Sequence, residues 1–454
     1  MSNHSSGNSD SKKKLTKIKT GLFARTMSLA KLSTQMTAGL ATQKLTGLMK
    51  SEDDKEKGFQ NFILKQATQF SQEIGELKGS LMKAGQMLSV YGEYFFPPEV
   101  NAVLKTLQNE SPSLHWPEML KILRNEWTAE QLNQFEIETE ALASASMGQV
   151  HRARLKSTNE TVVIKIQYPG VETAIESDLK ALKKFLSLVE ILPKDLSLDP
   201  IMKELKEMLT QEMDYHREVE LMETYRQHLG EDPRYVIPKI FKAFCTKKII
   251  VQSFERGLKG DDPIVQSLPQ DRRNRLASNF LDLYFKELFE WHLIQTDPHL
   301  GNYRLRMDPR GQDQIVLFDF GATKKFDPQF MANYSKMIQG AIEKSPLFVE
   351  ASFKLGFIRP DDDPKLIQIF KDFCYQTVEP FGPGAYDWKK TDLPKRITQL
   401  GISIAKEFPL RTPPREIVFL DRKTAGVFIF LSVLGAHFEA GPLIKKYLYG
   451  KTAP

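Results

Sequence analysis

The sequence is poor in cysteine, in long apolar runs and, over one N-terminal stretch, in acid. Its two cysteines, Cys245 and Cys374, cannot build a disulfide framework, and no CxxC or Cys/His cluster offers a zinc site. A reducing compartment is the expectation. No stretch reaches the roughly 18–20 apolar residues that span a bilayer. The best candidate, AGVFIFLSVLGA from Ala425 to Ala436, is too short and reads as a buried C-terminal helix. No secretory signal with a charged start, an apolar core and a cleavage site is expected at the N-terminus. From Ser11 to Lys50 there are eight Lys, one Arg and no Asp or Glu. That stretch carries +9 of a net +6, which leaves −3 for the rest of the chain. The body is therefore no basic nucleic-acid binder, and nucleic acid is excluded as a partner.

What is present suits two or three domain-sized units. The chain has 454 residues, enough for a substantial core, and 41% hydrophobic with 26% charged residues is ordinary for a globular protein. The start, MSNHSSGNSDSKKK, reads as disordered. Beyond it, Leu15, Ile18, Leu22, Leu29, Leu32, Met36, Leu40 and Leu48 recur at roughly helical spacing among Lys and Thr. Two readings stay open: an amphipathic helix on an anionic membrane surface, or a tail that is flexible or packed on the body. Gly21, Gly39 and Gly47 weaken a continuous helix. From Asp54 to Tyr94 the pattern is helical, with Ile74, Leu77, Leu81, Ala84 and Leu88 on one face, and Pro97 and Pro98 end it. Short helices follow to about Phe135. ALASASMGQVHRARL, KSTNE and TVVIKIQYP then read as small-residue turn, strand, polar turn and strand. Helical patterning returns over 171–228, a strand is expected at Ile249–Phe254, and the chain from Asp271 onward is mostly helical.

One stretch interrupts that helical half: QTDPHLGNYRLRMDPRGQDQIVLFDFG, from Gln295 to Gly321. Asp297 and Asn302 stand as D-x-x-x-x-N, the spacing of the protein-kinase catalytic loop, in which the Asp orients the acceptor hydroxyl and the Asn holds magnesium. YRLR and QIVLFDFG look like two strands around the turn MDPRGQ. They end in Asp319-Phe320-Gly321, and a DFG aspartate binds the magnesium that bridges nucleotide phosphates. The hairpin would return the second carboxylate to the first. A lone DFG is weak evidence; the three elements in order are strong.

A kinase-type site needs an upstream strand lysine. Lys165 in VVIKIQYP fits the V-A-I-K element, although an exposed edge lysine would look similar. A lysine among Val163, Ile164 and Ile166 needs a partner, because an unpaired buried charge is costly. Glu212, Asp214, Glu218, Glu220 and Glu223 are all candidates. The phosphate loop departs from the kinase pattern: ALASASMGQVHRA has only Gly148, and side chains hinder close approach of backbone to phosphate.

Together these residues resemble the UbiB family, the AarF/ADCK group of atypical kinase-like proteins. The likeness covers 54 to at least 326. It rests on KxGQ at Lys83, Gly85 and Gln86, the alanine-rich loop ALASASMGQVHRA, the lysine strand VVIKIQYPGV, ExD at Glu212 and Asp214 with Glu218 following, QTDPHLGN, and LFDFG. The resemblance implies an α+β, protein-kinase-like two-lobed fold with an N-terminal helical extension carrying KxGQ. The expected organisation is a basic tail over 1–50, the helical extension over 51–140, a kinase-like N-lobe over 141–255 and a C-lobe over 256–454. It further implies that Lys83 pairs with Glu212 and Glu218 with Lys165. Asp297, Lys165 and Lys83 are then the expected catalytic residues. Ala143, Ser144, Ala145, Ser146, Lys165, Glu212, Glu218 and Gln86 would hold ATP or ADP, and Asn302 and Asp319 would hold Mg2+.

The family's members are tied to ubiquinone and other isoprenoid-lipid metabolism at membranes, so anionic lipid and quinone-biosynthetic proteins are the implied partners. Two positions depart from the family pattern. Gln295 stands where the family often has His, and Ser144 where many relatives have another alanine, which adds a hydroxyl near the expected phosphates. The expected activity is an Mg2+-dependent ATPase or kinase. Two alternatives stand beside it: a small-molecule kinase of the aminoglycoside or choline type, and a nucleotide-sensing lipid-binding chaperone without phosphotransfer. The expected location is peripheral, at the inner face of a bacterial cytoplasmic membrane, with an organelle as the alternative because the tail also resembles a transit peptide.

Overall fold

The computed structural model describes residues 80–95, 113–144, 147–188, 198–297, 299–407 and 415–450. The expectations for the tail over 1–50, the helix face at Ile74 and Leu77, and Ala145 and Ser146 lie outside them. Packing divides the chain into two units, Met1–Tyr215 with Ile240–Phe254, and His216–Lys239 with Glu255–Pro454.

Period-two patterning builds the sheet of the first unit. Strands β1 (Phe135–Ser144), β2 (Gly148–Leu155), β3 (Glu160–Gln167) and β4 (Ile249–Ser253) lie antiparallel in the order β1-β2-β3-β4. Val162, Ile164 and Ile166 of β3 are buried, as β-branched residues on one face of a central strand should be. Strand β1 was not foreseen. The alanines read as a turn are its end, with Ala143 opposite Val150 and Ser144 opposite Gln149. It is an edge strand studded with Glu136, Glu138 and Glu140, charges that blunt an exposed edge, so it lacks the apolar alternation that marks a buried strand.

Helix α1 (Ser80–Phe95) carries the KxGQ residues and packs with α4 (Val171–Leu188) and α5 (Leu198–Glu212). Leu81, Ala84 and Leu88 are buried as expected, but so are Met82 and Met87, so α1 is enclosed on more than one face. Ser80 Oγ donates to Asp178 on α4 at 2.5 Å, with both residues fully buried. Before the sheet run α2 (Trp116–Glu126) and α3 (Ala129–Asn133), the latter opened by a capping box between Thr128 and Gln131. Trp127 stacks on Phe135 and donates its indole N–H to the Phe244 carbonyl.

The buried face of β2 holds a polar clamp on the segment entering α2. Gln149 accepts from the Leu114 N–H at 2.9 Å and donates to the Leu114 carbonyl and to His151 Nε2. His151 Nε2 must then accept, so its proton sits on Nδ1, facing the Glu138 carbonyl at 2.9 Å. Burial holds His151 below the ordinary histidine value of 6.5. The unfolded chain binds the proton first, so the His151 contribution to stability is complete above about pH 6.5 and is lost as the pH falls below it. Urea unfolding should show wild-type stability falling more steeply below about pH 6.5 than that of His151→Gln, by up to about 1.4 kcal/mol per pH unit. Parallel slopes would contradict the clamp.

In the second unit, helix α6 (Tyr215–Leu229, of which Tyr215 belongs to the first unit) is followed by β5 (Tyr235–Val236), α7 (Pro263–Gln266) and α8 (Gln270–Phe285). A π-helical turn, Lys286–Trp291, then ends at His292 in the left-handed region with φ 51°. Next come β6 (Leu293–Gln295), β7 (Tyr303–Arg306), β8 (Gln314–Leu317) and β9 (Thr323–Lys325). Strands β5, β8 and β7 form one small sheet and β6 pairs with β9. The helices α9 (Pro328–Glu343), α10 (Leu347–Lys354), α11 (Pro364–Thr377), α12 (Leu393–Glu407), α13 (Arg415–Val433) and α14 (Gly441–Leu448) complete the unit, with a two-residue pair β10 (Tyr386–Asp387) and β11 (His437–Phe438). Asp-Pro opens three helices, at 262, 327 and 363; the carboxylate accepts the orphan N–H groups and the proline needs none. The expected C-terminal helix is α13, with Val427, Phe430 and Leu431 buried but Ile429 54% exposed. No helix among the described residues is long and apolar enough to cross a membrane.

Candidate active site

In the first unit four elements meet around the strand lysine. Lys165, on β3, lies opposite Val150 and Ile250 and is half-buried, with its ammonium 5.0 Å from the centre of the Tyr215 ring. That contact is favourable for a cation over an aromatic face. Two residues on, Gln167 donates to the Met213 carbonyl at 2.6 Å, inside the ExD turn. Glu212, just before it, pairs with Lys83 of α1 at 2.7 Å, with side chains only 17% and 10% exposed. Gln86 lies half-buried one turn along α1. The sheet thus anchors the turn through Gln167, and the turn holds α1 through Glu212.

Gly148 closes the frame. A Cβ there would meet the Ile166 carbonyl at 2.5 Å and the Tyr215 hydroxyl at 3.1 Å, so the loop's single glycine serves close packing against β3. Ala143 and Ser144 are exposed at the end of β1. The Ser144 side chain hydrogen-bonds the phenol of Tyr168, whose pKa burial pushes up to about 12.

In the second unit the expected hairpin is present. β7 and β8 pair antiparallel from Tyr303 opposite Leu317 to Arg306 opposite Gln314. The next rung is the Phe318 N–H donating to the Asn302 carbonyl at 3.1 Å. Asn302 and Asp319 therefore leave the same end of one hairpin. Asn302 Nδ2 donates to the Asp297 carbonyl at 2.9 Å, which fixes the amide and keeps Oδ1 as its acceptor atom. Asp319 accepts from the Gly321 N–H at 3.0 Å. Burial, then the carboxylates of Glu287, Asp297 and Asp319, push the Tyr303 phenol well above its ordinary pKa, so both site aspartates act on one buried ring.

Helix α6 and strand β9 hold the DFG segment. Arg217 donates to the carbonyls of Gly321 (2.9 Å) and Thr323. Phe320, fully buried, packs edge-on against Tyr225 with centroids 4.9 Å apart. Glu218, next to Arg217, is buried in this unit. Gln295, the departure from the family histidine, is buried and accepts from the Tyr303 hydroxyl at 3.2 Å.

Three residues that sequence reasoning missed contribute directly. Arg422 of α13 pairs with Asp297 Oδ1 at 2.7 Å. Arg217 and Tyr215 flank the ExD run and could have been singled out there. Arg422 carries no local signal.

An oxygen pair of one carboxylate and one amide fits Mg2+, which keeps several waters and takes phosphate oxygens for the rest. No group of three or more His, Cys, Asp or Glu that could hold a metal occurs among the described residues.

Comparison with known proteins places the chain in a family. The ABC1 atypical kinase-like domain matches residues 106–349. The chain is 29% identical over 382 residues to the mitochondrial atypical kinase COQ8B of Rattus norvegicus, covering 84% of this chain and 71% of that one. It is 29% identical over 383 residues to the mitochondrial atypical kinase COQ8 of Saccharomyces cerevisiae, covering 82% and 74%. A probable serine/threonine-protein kinase of Dictyostelium discoideum, abkA, is 26% identical over 396 residues, covering 82% and 69%. Among solved structures, Rv3197 of Mycobacterium tuberculosis, determined as a complex with erythromycin, matches with a TM-score of 0.60 at 25% identity, covering 89% of this chain and all of that one. The kinase-like fold, the ordered motifs and the matched domain lead to one assignment: the chain belongs to the UbiB family of atypical kinase-like proteins and is an enzyme of the kinase or ATPase class.

Proposed function

We propose that the chain is an Mg2+-dependent ATPase or kinase that supports ubiquinone or another isoprenoid-lipid pathway at a membrane surface. The observation that carries the catalytic part is the hairpin end at which Asn302 and Asp319 emerge together beside Asp297. In this reading Asn302 and Asp319 hold Mg2+ against the phosphates of ATP or ADP. Lys165 neutralises phosphate charge, and Lys83, Glu212, Gln86, Glu218 and the loop Ala143–Ser146 shape the nucleotide site. Asp297 orients the attacking hydroxyl or water. Acceleration comes from positioning and charge neutralisation, which dominate phosphoryl transfer.

The lipid part has separate support. Both COQ8 relatives are named mitochondrial, which favours an organellar membrane over the bacterial one expected from the sequence. The +9 stretch from Ser11 to Lys50 suits an anionic surface, where each Lys or Arg contributes about 1 kcal/mol.

Turnover of γ-labelled ATP by the full chain, with Mg2+ and with or without anionic liposomes, tests both parts. Label released as phosphate and increased by liposomes is the expected result. Label moving to lipid or protein would define a kinase and its acceptor class. Tight nucleotide binding with no turnover, even on liposomes, would overturn the proposal in favour of a nucleotide-sensing lipid-binding role.

A further inference from the structure

Two consecutive residues of α13 reach the approach to Asp297. Arg422 takes its carboxylate at 2.7 Å. Lys423 is only 2% exposed and pairs at 2.8 Å with Glu287, which is equally buried. Glu287 lies in the π-helical turn Lys286–Trp291, a rare distortion that recurs at functional sites. Its carboxylate also receives the Tyr225 phenol at 3.2 Å and the main-chain N–H of Gln295. The same phenol reaches the Leu293 carbonyl at 3.0 Å. Both ends of β6, Leu293 and Gln295, are therefore held by one buried cluster, and Asp297 stands two residues past the strand.

A buried ion pair is a weak source of stability, since a matched neutral pair of similar volume is often as good. What an ion pair adds is a single register between the two elements it joins. Lys423 with Glu287 ties α13 to the π turn, and Glu287 with Tyr225 ties the π turn to β6. We infer that the Lys423–Glu287 pair is a positioning device for the catalytic loop, setting α13 and β6 in the one register where Arg422 meets Asp297. The inference rests on the proposed role of Asp297.

The test compares kcat, KM and nucleotide affinity of the full chain with those of the neutral double variant Glu287→Gln/Lys423→Met and of Asp297→Asn. The double variant leaves no unpaired charge in the core and should unfold at close to the wild-type temperature. It should lose about tenfold or more in kcat, because misplacement by an ångström costs up to about 10²-fold. Nucleotide affinity and KM should stay within about twofold, a split that general destabilisation would not produce. Wild-type kcat in the double variant, with Asp297→Asn inactive, overturns the inference alone. Wild-type turnover in Asp297→Asn overturns the reading beneath it. Should the double variant fail to fold, Tyr225→Phe decides. It keeps the ring and removes the hydroxyl between Glu287 and Leu293, so a several-fold loss in kcat at unchanged affinity supports the device, and wild-type kcat overturns it.

Discussion

Replacing Asp319 by Asn should lower Mg2+-dependent ATP turnover by about 10²- to 10³-fold, the range for removing one strong electrostatic contact to a transition state. The amide keeps an oxygen to accept from the Gly321 N–H, so the turn at Asp319-Phe320-Gly321 should survive. Phe320 should stay packed on Tyr225, and Arg217 should still bind the carbonyls of Gly321 and Thr323. What is lost is the negative charge at the hairpin end. Thermal unfolding and turnover measured on one preparation separate the two effects. Unchanged turnover in a folded Asp319→Asn protein would remove Asp319 from the metal site.

Breaking the Lys83–Glu212 pair should cost both stability and nucleotide handling. Lys83→Ala leaves a mostly buried carboxylate without its nearest cation, at about 3 kcal/mol, the low end for such pairs because neither side chain is fully enclosed. The neutral double variant Lys83→Met/Glu212→Gln should recover most of that stability, since the uncompensated charge is gone. It should not recover wild-type nucleotide affinity or turnover if the KxGQ helix serves the phosphates. Recovery of stability and of nucleotide handling together would reduce the pair to a structural clamp. It would also favour a small-molecule kinase of the aminoglycoside or choline type, which lacks this helix.

The legible parts of the chain were those whose signal is local. The β7–β8 hairpin was written in two strand-like runs, YRLR and QIVLFDFG, around MDPRGQ, and its register brings Asn302 and Asp319 out together. Lys165 was legible because a lysine inside a β-branched run is unusual. The segment 171–228 read as helical and forms α4, α5 and α6. Strand β1 was not legible: as an edge strand it alternates glutamates with few apolar residues, and three of its last four residues are Ala or Ser. Arg422 was not legible either, since it meets Asp297 from 125 residues away in a helix whose own pattern speaks only of burial. The Lys83–Glu212 pair lies between. No periodicity joins those residues, and in the sequence only the family resemblance links them.

A metal–nucleotide held at the hairpin end is the core of the proposed function. The most direct measurement is Mn2+ binding by electron paramagnetic resonance in the presence of ADP, comparing the wild-type chain with Asp319→Asn and Asn302→Ala. Mn2+ suits this purpose because it accepts the same oxygen ligands as Mg2+. The expected result is nucleotide-dependent Mn2+ uptake by the wild-type chain that each variant loses or weakens by at least about tenfold. Equal, nucleotide-dependent uptake by all three proteins would contradict it.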